Sequence, residues 1–100
     1  MSSKSQSPLL WLDLEFTDLD VKRGQIVEIS SLITDANLNV KATGPSLVIH
    51  QPDEVLDNMI QWNKTNFAQT GLLEEIKSST VSLNSAYQQT LKFIKKHSAF

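Results

Sequence analysis

At Pro52 the hydrophobic period of this chain changes from two to about 3.6, and that switch limits the fold more than any other feature of the 100 residues. Before it, three runs read as strands. Leu9–Phe16 is apolar on both faces, which places it centrally in a sheet. Gln25–Thr34 is rich in β-branched residues. A third run covers Leu38–His50 and is interrupted near Gly44-Pro45, where the donor that proline lacks marks a bulge or an edge. The polar stretch Asp18–Gly24 is the first turn, and Asp35-Ala36-Asn37 the second, with Asn37 suited to left-handed backbone.

After Pro52 the chain reads as helical. Asp53 and Glu54 favour a helix start, and Val55, Leu56, Met59 and Ile60 form an apolar stripe. Gly71 closes the helical region that holds Trp62 and Phe67. Leu72–Lys77 is expected to add a short helical turn. Ser82 is a candidate N-cap for a final helix, with Leu83, Tyr87, Thr90, Leu91 and Ile94 on one face. Lys92, Lys95, Lys96 and His97 sit towards its end, where the helix dipole favours positive charge.

Three antiparallel strands followed by helices make an α+β chain, of the length of one small domain. A first strand apolar on both faces needs a neighbour on each edge, and one meander supplies only one. The sheet is therefore expected to lack strands, and its open edge and uncovered apolar faces to make the isolated chain prone to aggregation.

Composition narrows the function classes. The chain is 40% hydrophobic and 20% charged, as an ordinary globular protein is. It contains no run of roughly 18 apolar residues, so no membrane partner is expected. A net charge of −2 gives no global attraction to nucleic acid, which a local metal or basic patch would have to provide. The absence of cysteine excludes disulfides and thiolate zinc sites, and suits an intracellular, reducing compartment, whether cytoplasmic, nuclear or mitochondrial. Residues 1–8 read as a serine-rich disordered tail with no secretory signal, ahead of a domain over 9–100.

The chemistry is concentrated in the first strand. Side chains alternate across a strand, so Trp11, Asp13 and Glu15 share a face, at successive spacings of roughly 6.5–7 Å. Two carboxylates in an apolar run repel each other and resist burial, and a divalent cation offsets both costs. Oxygen ligands suit hard ions such as Mg²⁺ or Mn²⁺. Asp-x-Glu is nevertheless a common tripeptide, and an exposed, merely solvated pair is the competing reading. Neither His50 nor His97 has metal-ligand spacing; His50 reads as structural and His97 as a dipole partner.

The neighbours of the pair carry more information. Trp11-Leu12-Asp13-Leu14-Glu15-Phe16-Thr17, Leu19-Asp20 and Ile26-Val27-Glu28-Ile29-Ser30 are followed by Thr34-Asp35-Ala36-Asn37-Leu38-Asn39 and Val48-Ile49-His50-Gln51 with Asp53-Glu54. Trp62-Asn63, Gly71-Leu72 and Lys77-Ser78-Ser79-Thr80 complete the series. In order and spacing this set resembles the oligoribonuclease branch of the DEDD-type 3′–5′ exonucleases. The resemblance implies a ribonuclease H-like fold, cut off here after the meander and its helices. It also implies two-metal-ion hydrolysis of short RNA oligonucleotides with Mg²⁺ or Mn²⁺, and a homodimer when complete. Asp13 and Glu15 match the family's first two acidic metal ligands and catalytic residues. Leu19 matches a leucine that wedges between substrate bases, and Trp62 an aromatic at the 3′-terminal nucleotide. Thr17 is a further substrate-binding candidate, or a residue that turns the chain after the strand.

Some residues depart from the family pattern. Asp18 stands where the family has glycine, and Phe67 where it usually has histidine. The third acid, the general-base histidine and the fourth acid have no counterpart in residues 1–100. The chain thus reads as the N-terminal part of an exonuclease, with a catalytically inactive module that binds nucleic acid or another subunit as the alternative.

Overall fold

The computed structural model describes residues 7–20 and 22–97. Most of the expected tail, residues 1–6, lies outside this range. Three strands, β1 (Leu9–Phe16), β2 (Ile26–Thr34) and β3 (Val40–Val48), precede four helices, α1 (Asp53–Asp57), α2 (Gln61–Thr70), α3 (Leu72–Ser78) and α4 (Leu83–His97). The strands form one antiparallel meander in the order β1-β2-β3. β2 is the central strand, so among the described residues β1 is an edge, contrary to the central position that its apolar composition suggests. Its leucines have no sheet neighbour on the outer side, which is the shortage of strands inferred from the sequence.

The β1–β2 register pairs Trp11 with Leu32, Asp13 with Ser30 and Glu15 with Glu28, then shifts between Glu15 and Phe16. In β3 the run stays in the sheet, and the expected irregularity at Gly44-Pro45 is a bulge. Ser30 faces Ser46 and Leu32 faces Thr43, so two residues of β3 stand opposite one of β2. The second turn is organised by Asp35. Its Oδ1 accepts from the backbone N–H of Asn37 (2.8 Å) and of Asn39 (3.0 Å). The left-handed position is Leu38, at φ 68°, rather than Asn37.

The helical region opened by Asp53 is split. Asn58 leaves the helix and Ile60 is extended (ψ 148°), so α1 and α2 are separate helices. Gly71 ends α2 at φ 83°, a backbone that glycine adopts without strain. Ser82 caps α4 as its sequence suggests, its Oγ accepting the Ser85 N–H at 3.0 Å. The face of α4 that packs is rotated from the expected stripe. Ala86, Thr90 and Phe93 are buried, whereas Leu83 and Tyr87 are 45% and 55% exposed.

Two apolar clusters hold these elements together. Val27, Leu56, Met59, Phe67, Leu72 and Ile76 join α1, α2 and α3 to one end of the sheet. Ile29, Ile49 and Ala86 join α4 to the sheet face that carries Leu12 and Leu14. The hydroxyls of Ser31 and Thr90 are buried without a hydrogen-bond partner among the described residues, so these side chains contribute packing at a polar cost.

Candidate metal and nucleotide site

Alternation along β1 puts Asp13 and Glu15 on the face opposite α4, and pairing with β2 adds a third acid directly beside Glu15. That acid is Glu28. Asp13 is exposed and Glu15 half-buried. Burial holds the Glu28 carboxyl above the usual glutamate range, and the charges of Glu15, Glu75 and Asp13 push it further up. The sheet face thus concentrates negative charge that the described residues do not neutralise: the ion pair formed there, Lys41 with Asp35 at 3.6 Å, belongs to the hairpin.

A cleft of about 400 Å³ opens beside these acids, lined by Glu15 and Glu28 from the sheet, Trp62 and Asn66 from α2, and Glu75 from α3. Trp62 is 66% exposed, so it is not a core residue of its helix. Its ring stands free while the next residue, Asn63, is buried, and the side chain of Asn66 donates to the Trp62 carbonyl at 2.7 Å. An exposed indole beside the carboxylates of Glu15 and Glu28 offers a stacking surface.

The loop after β1 presents Leu19, 80% exposed. Hydrogen bonds at its base and near its tip shape it. The Thr17 N–H donates to the Gln25 carbonyl (3.0 Å), the Thr17 Oγ1 accepts the Gln25 N–H (2.9 Å), and Asp18 Oδ1 accepts the Asp20 N–H (2.9 Å). Thr17 is buried, its hydroxyl closing the loop, which is the turn-forming role weighed for it in the sequence. Its position therefore serves the site by holding the base of the loop that carries Leu19. His50 is bonded through Nδ1 to the Ile76 carbonyl at 3.2 Å, a structural role.

The exonuclease profile of the RNase T type matches residues 10–100. The chain belongs to this exonuclease family. Among curated relatives it is 45% identical over 96 residues to the oligoribonuclease of Acinetobacter baylyi, covering 96% of this chain and 52% of that protein. It is 48% identical over 89 residues to the oligoribonuclease of Chromobacterium violaceum, covering 89% of this chain and 49% of the relative. The mitochondrial oligoribonuclease of Mus musculus is 46% identical over 88 residues, 88% of this chain and 37% of its own length. The chain spans about half the length of the curated relatives it matches.

Exonucleases of this family generally depend on divalent metal, and the donor set here fits such an ion in part. Asp13 and Glu15 offer oxygen donors on one strand face, beside Glu28, whose carboxyl is held above its ordinary range by burial and, further, by the neighbouring acids. Among the described residues no three His, Cys, Asp or Glu side chains form a group that could hold the ion by itself. The exonuclease-family departures also find physical accounts. Phe67 is buried in the cluster with Val27 and Leu56 and also lines the floor of the cleft, where its ring offers an apolar surface and no hydrogen-bonding group. Asp18 spends one carboxylate oxygen on its own loop.

The sequence reading assigns no site role to Glu28, which it holds only as part of a motif, and does not single out Glu75 or Asn66. Glu28 stands as the single charged residue in a β-branched strand, which is a usable signal. Its partnership with Glu15 emerges only from the register. No helix among the described residues is long and apolar enough to cross a membrane.

Proposed function

We propose that this chain supplies the first two acidic ligands and the 3′-nucleotide platform of a 3′–5′ exoribonuclease of the oligoribonuclease type, acting on short RNA. The observation that carries the reading is that Asp13 and Glu15 share one strand face and that Glu15 lines a common cleft with Trp62. When bound, a pair of divalent cations would stabilise the attacking and leaving oxygens of phosphodiester hydrolysis. Mg²⁺ and Mn²⁺ both suit the oxygen donors.

In this mechanism Asp13 and Glu15 would hold the ions. Trp62 stacks on the terminal base, an interaction tolerant of sequence. Leu19, exposed at its loop tip, inserts beside the next base, and Thr17 keeps that loop closed. A site built from stacking and apolar wedging does not read base edges, which is what clearance of miscellaneous short RNA requires. The positioned base that activates water, and the remaining ligands, come from outside residues 1–100.

A chimera tests this. Residues 1–100 replace the matched portion of the Acinetobacter baylyi oligoribonuclease, and a 5′-labelled pentaribonucleotide is incubated with Mn²⁺. Shortening in one-nucleotide steps is expected, with loss in the Asp13→Ala chimera. A folded chimera that leaves the RNA intact overturns the reading.

A further inference from the structure

An ionised carboxylate accepts hydrogen bonds and donates none. Asp18 puts one on the loop that carries Leu19, directly before that residue. The side chain is half-buried; its Oδ1 accepts the Asp20 N–H at 2.9 Å, and its Oδ2 has no partner among the described residues. Asp18 lines a polar cleft of about 410 Å³ with Thr17, Arg23 and Gln25, and Glu54 and Asn58 close the opposite side. Arg23 is the single arginine of the chain, and among the described residues it pairs with neither Asp18 nor Glu54. This cleft shares no lining residue with the one that holds Trp62.

We infer that Asp18 selects ribose over deoxyribose, its Oδ2 accepting the 2′-hydroxyl of the nucleotide next to the 3′-terminal one. The inference rests on the functional reading above and deepens it by naming the sugar. Within a nucleic-acid backbone the phosphates and ring oxygens only accept, and the 2′-hydroxyl is the group that can donate. Beside DNA the Asp18 carboxylate meets like charge and lone pairs. Beside RNA it gains a charge-assisted hydrogen bond. The charges of the cleft agree. Asp18 and Glu54 outweigh Arg23, so a free anion is a poor ligand there. A sugar–phosphate unit with its hydroxyl towards Asp18 and its phosphate towards Arg23 matches both signs.

Position picks out the nucleotide. The terminal base belongs to Trp62 and Leu19 wedges behind it, so the separate cleft beside Asp18 falls to the next residue of the RNA. A base edge is the rival donor, since amino groups of bases also donate. The sugar is favoured because stacking and wedging hold a base by its faces, whatever its identity, and every RNA nucleotide carries the 2′-hydroxyl. Glycine at position 18 would offer neither the acceptor nor the charge.

The chimera described above tests this by fluorescence anisotropy, with Ca²⁺ in place of Mn²⁺ so that binding is read apart from hydrolysis. The probes are a labelled pentaribonucleotide, its all-deoxy counterpart, and pentamers with one 2′-deoxy nucleotide at each position in turn. The deoxy substitution next to the 3′ end should weaken binding by about tenfold, the effect of one hydrogen bond to a charged group. Asp18→Asn keeps an oxygen for the Asp20 N–H and turns the other acceptor into an amide donor, so the loop is preserved. In that variant the same deoxy substitution should cost less than about twofold. If Asp18 acts by charge alone, Asp18→Asn tightens RNA and DNA alike and leaves their ratio unchanged, which overturns the proposal. So does a penalty that follows the base instead of the sugar, or a folded chimera that binds neither strand. RNA shortening with an unchanged ratio leaves the enzymatic reading standing without this contact. An Asp18-dependent ratio without shortening supports the contact and counts against the enzymatic reading.

Discussion

The side-chain amide of Asn63 donates a 2.9 Å hydrogen bond to the backbone carbonyl oxygen of Phe16. The two residues follow Trp62 and Glu15 respectively, so this one bond fixes the start of α2 against the end of β1 and sets the gap between the Trp62 indole and the Glu15 carboxylate. Asn63 is almost fully buried, and its bond satisfies a carbonyl at the point where the β1–β2 register shifts. Asn63→Ala should cost roughly 1–3 kcal/mol in urea unfolding, the penalty for a buried group left unpaired. It should also weaken RNA binding by the chimeric exonuclease. Unchanged stability would show that the Phe16 carbonyl finds another partner.

Trp62 gives the complementary case. It is largely exposed, so Trp62→Ala should change stability by no more than about 0.5 kcal/mol. RNA affinity should fall by roughly 1–3 kcal/mol, the contribution of one stacked base, and Trp62→Phe should restore part of it. Fluorescence titration of the chimera with a short RNA measures both variants. Equal affinity for Trp62→Ala and the parent would remove Trp62 from the binding surface.

Glu28 makes stability depend on pH in a definite direction. Its carboxyl is raised by burial and by Glu15, Glu75 and Asp13, so the folded chain retains a proton that the unfolded chain releases. That contribution is complete below the unfolded glutamate pKa and disappears as pH rises through the folded one. With chelator present, Glu28→Gln should raise stability at pH 7 by roughly 0.2–1 kcal/mol, the scale of cross-strand pair effects. Near pH 3 the variant and parent should coincide. Thermal unfolding across that range decides it, and a lower midpoint for Glu28→Gln at pH 7 would contradict the electrostatic account.

The glycines at positions 44 and 71 separate two kinds of cost. A methyl group on Gly44 would collide with the Ser31 hydroxyl and the Phe93 ring, inside the contact between the bulge and α4. Gly44→Ala should therefore destabilise through overpacking, by roughly 1–3 kcal/mol. At Gly71 there is open space, and only the φ of 83° opposes a side chain, at roughly 1–2 kcal/mol. Phe93→Leu should relieve the first substitution and leave the second untouched. Double-mutant cycles read that difference directly.

Local chemistry made much of this fold legible beforehand. The meander, the closure of α2 at Gly71 and the Ser82 cap each follow from one or a few adjacent residues. Features that depend on partners distant in sequence were not legible. Leu38 takes the left-handed position because the Asp35 carboxylate binds the amides on either side of it. The buried stripe of α4 is set by the shape of the bulged sheet beneath it, where Phe93 packs against Gly44. At the site, alternation along β1 sufficed to bring Asp13 and Glu15 together. Glu28 needed the register, which a one-residue slip would have turned to the other face.

The chain carries two tryptophans, and the fold assigns them to opposite duties. Trp62 stands in the cleft, while Trp11 lies on edge strand β1, its indole N–H donating to the Thr34 hydroxyl at 3.0 Å. Light emission from each reports a different place: on the proposed function, quenching of Trp62 should follow a nucleotide arriving, while Trp11 emission reports the state of the β1–β2 sheet. With one or the other replaced by phenylalanine, the molecule carries its own optical gauge for each, and events in the cleft become separable from unfolding of the sheet without attaching a dye.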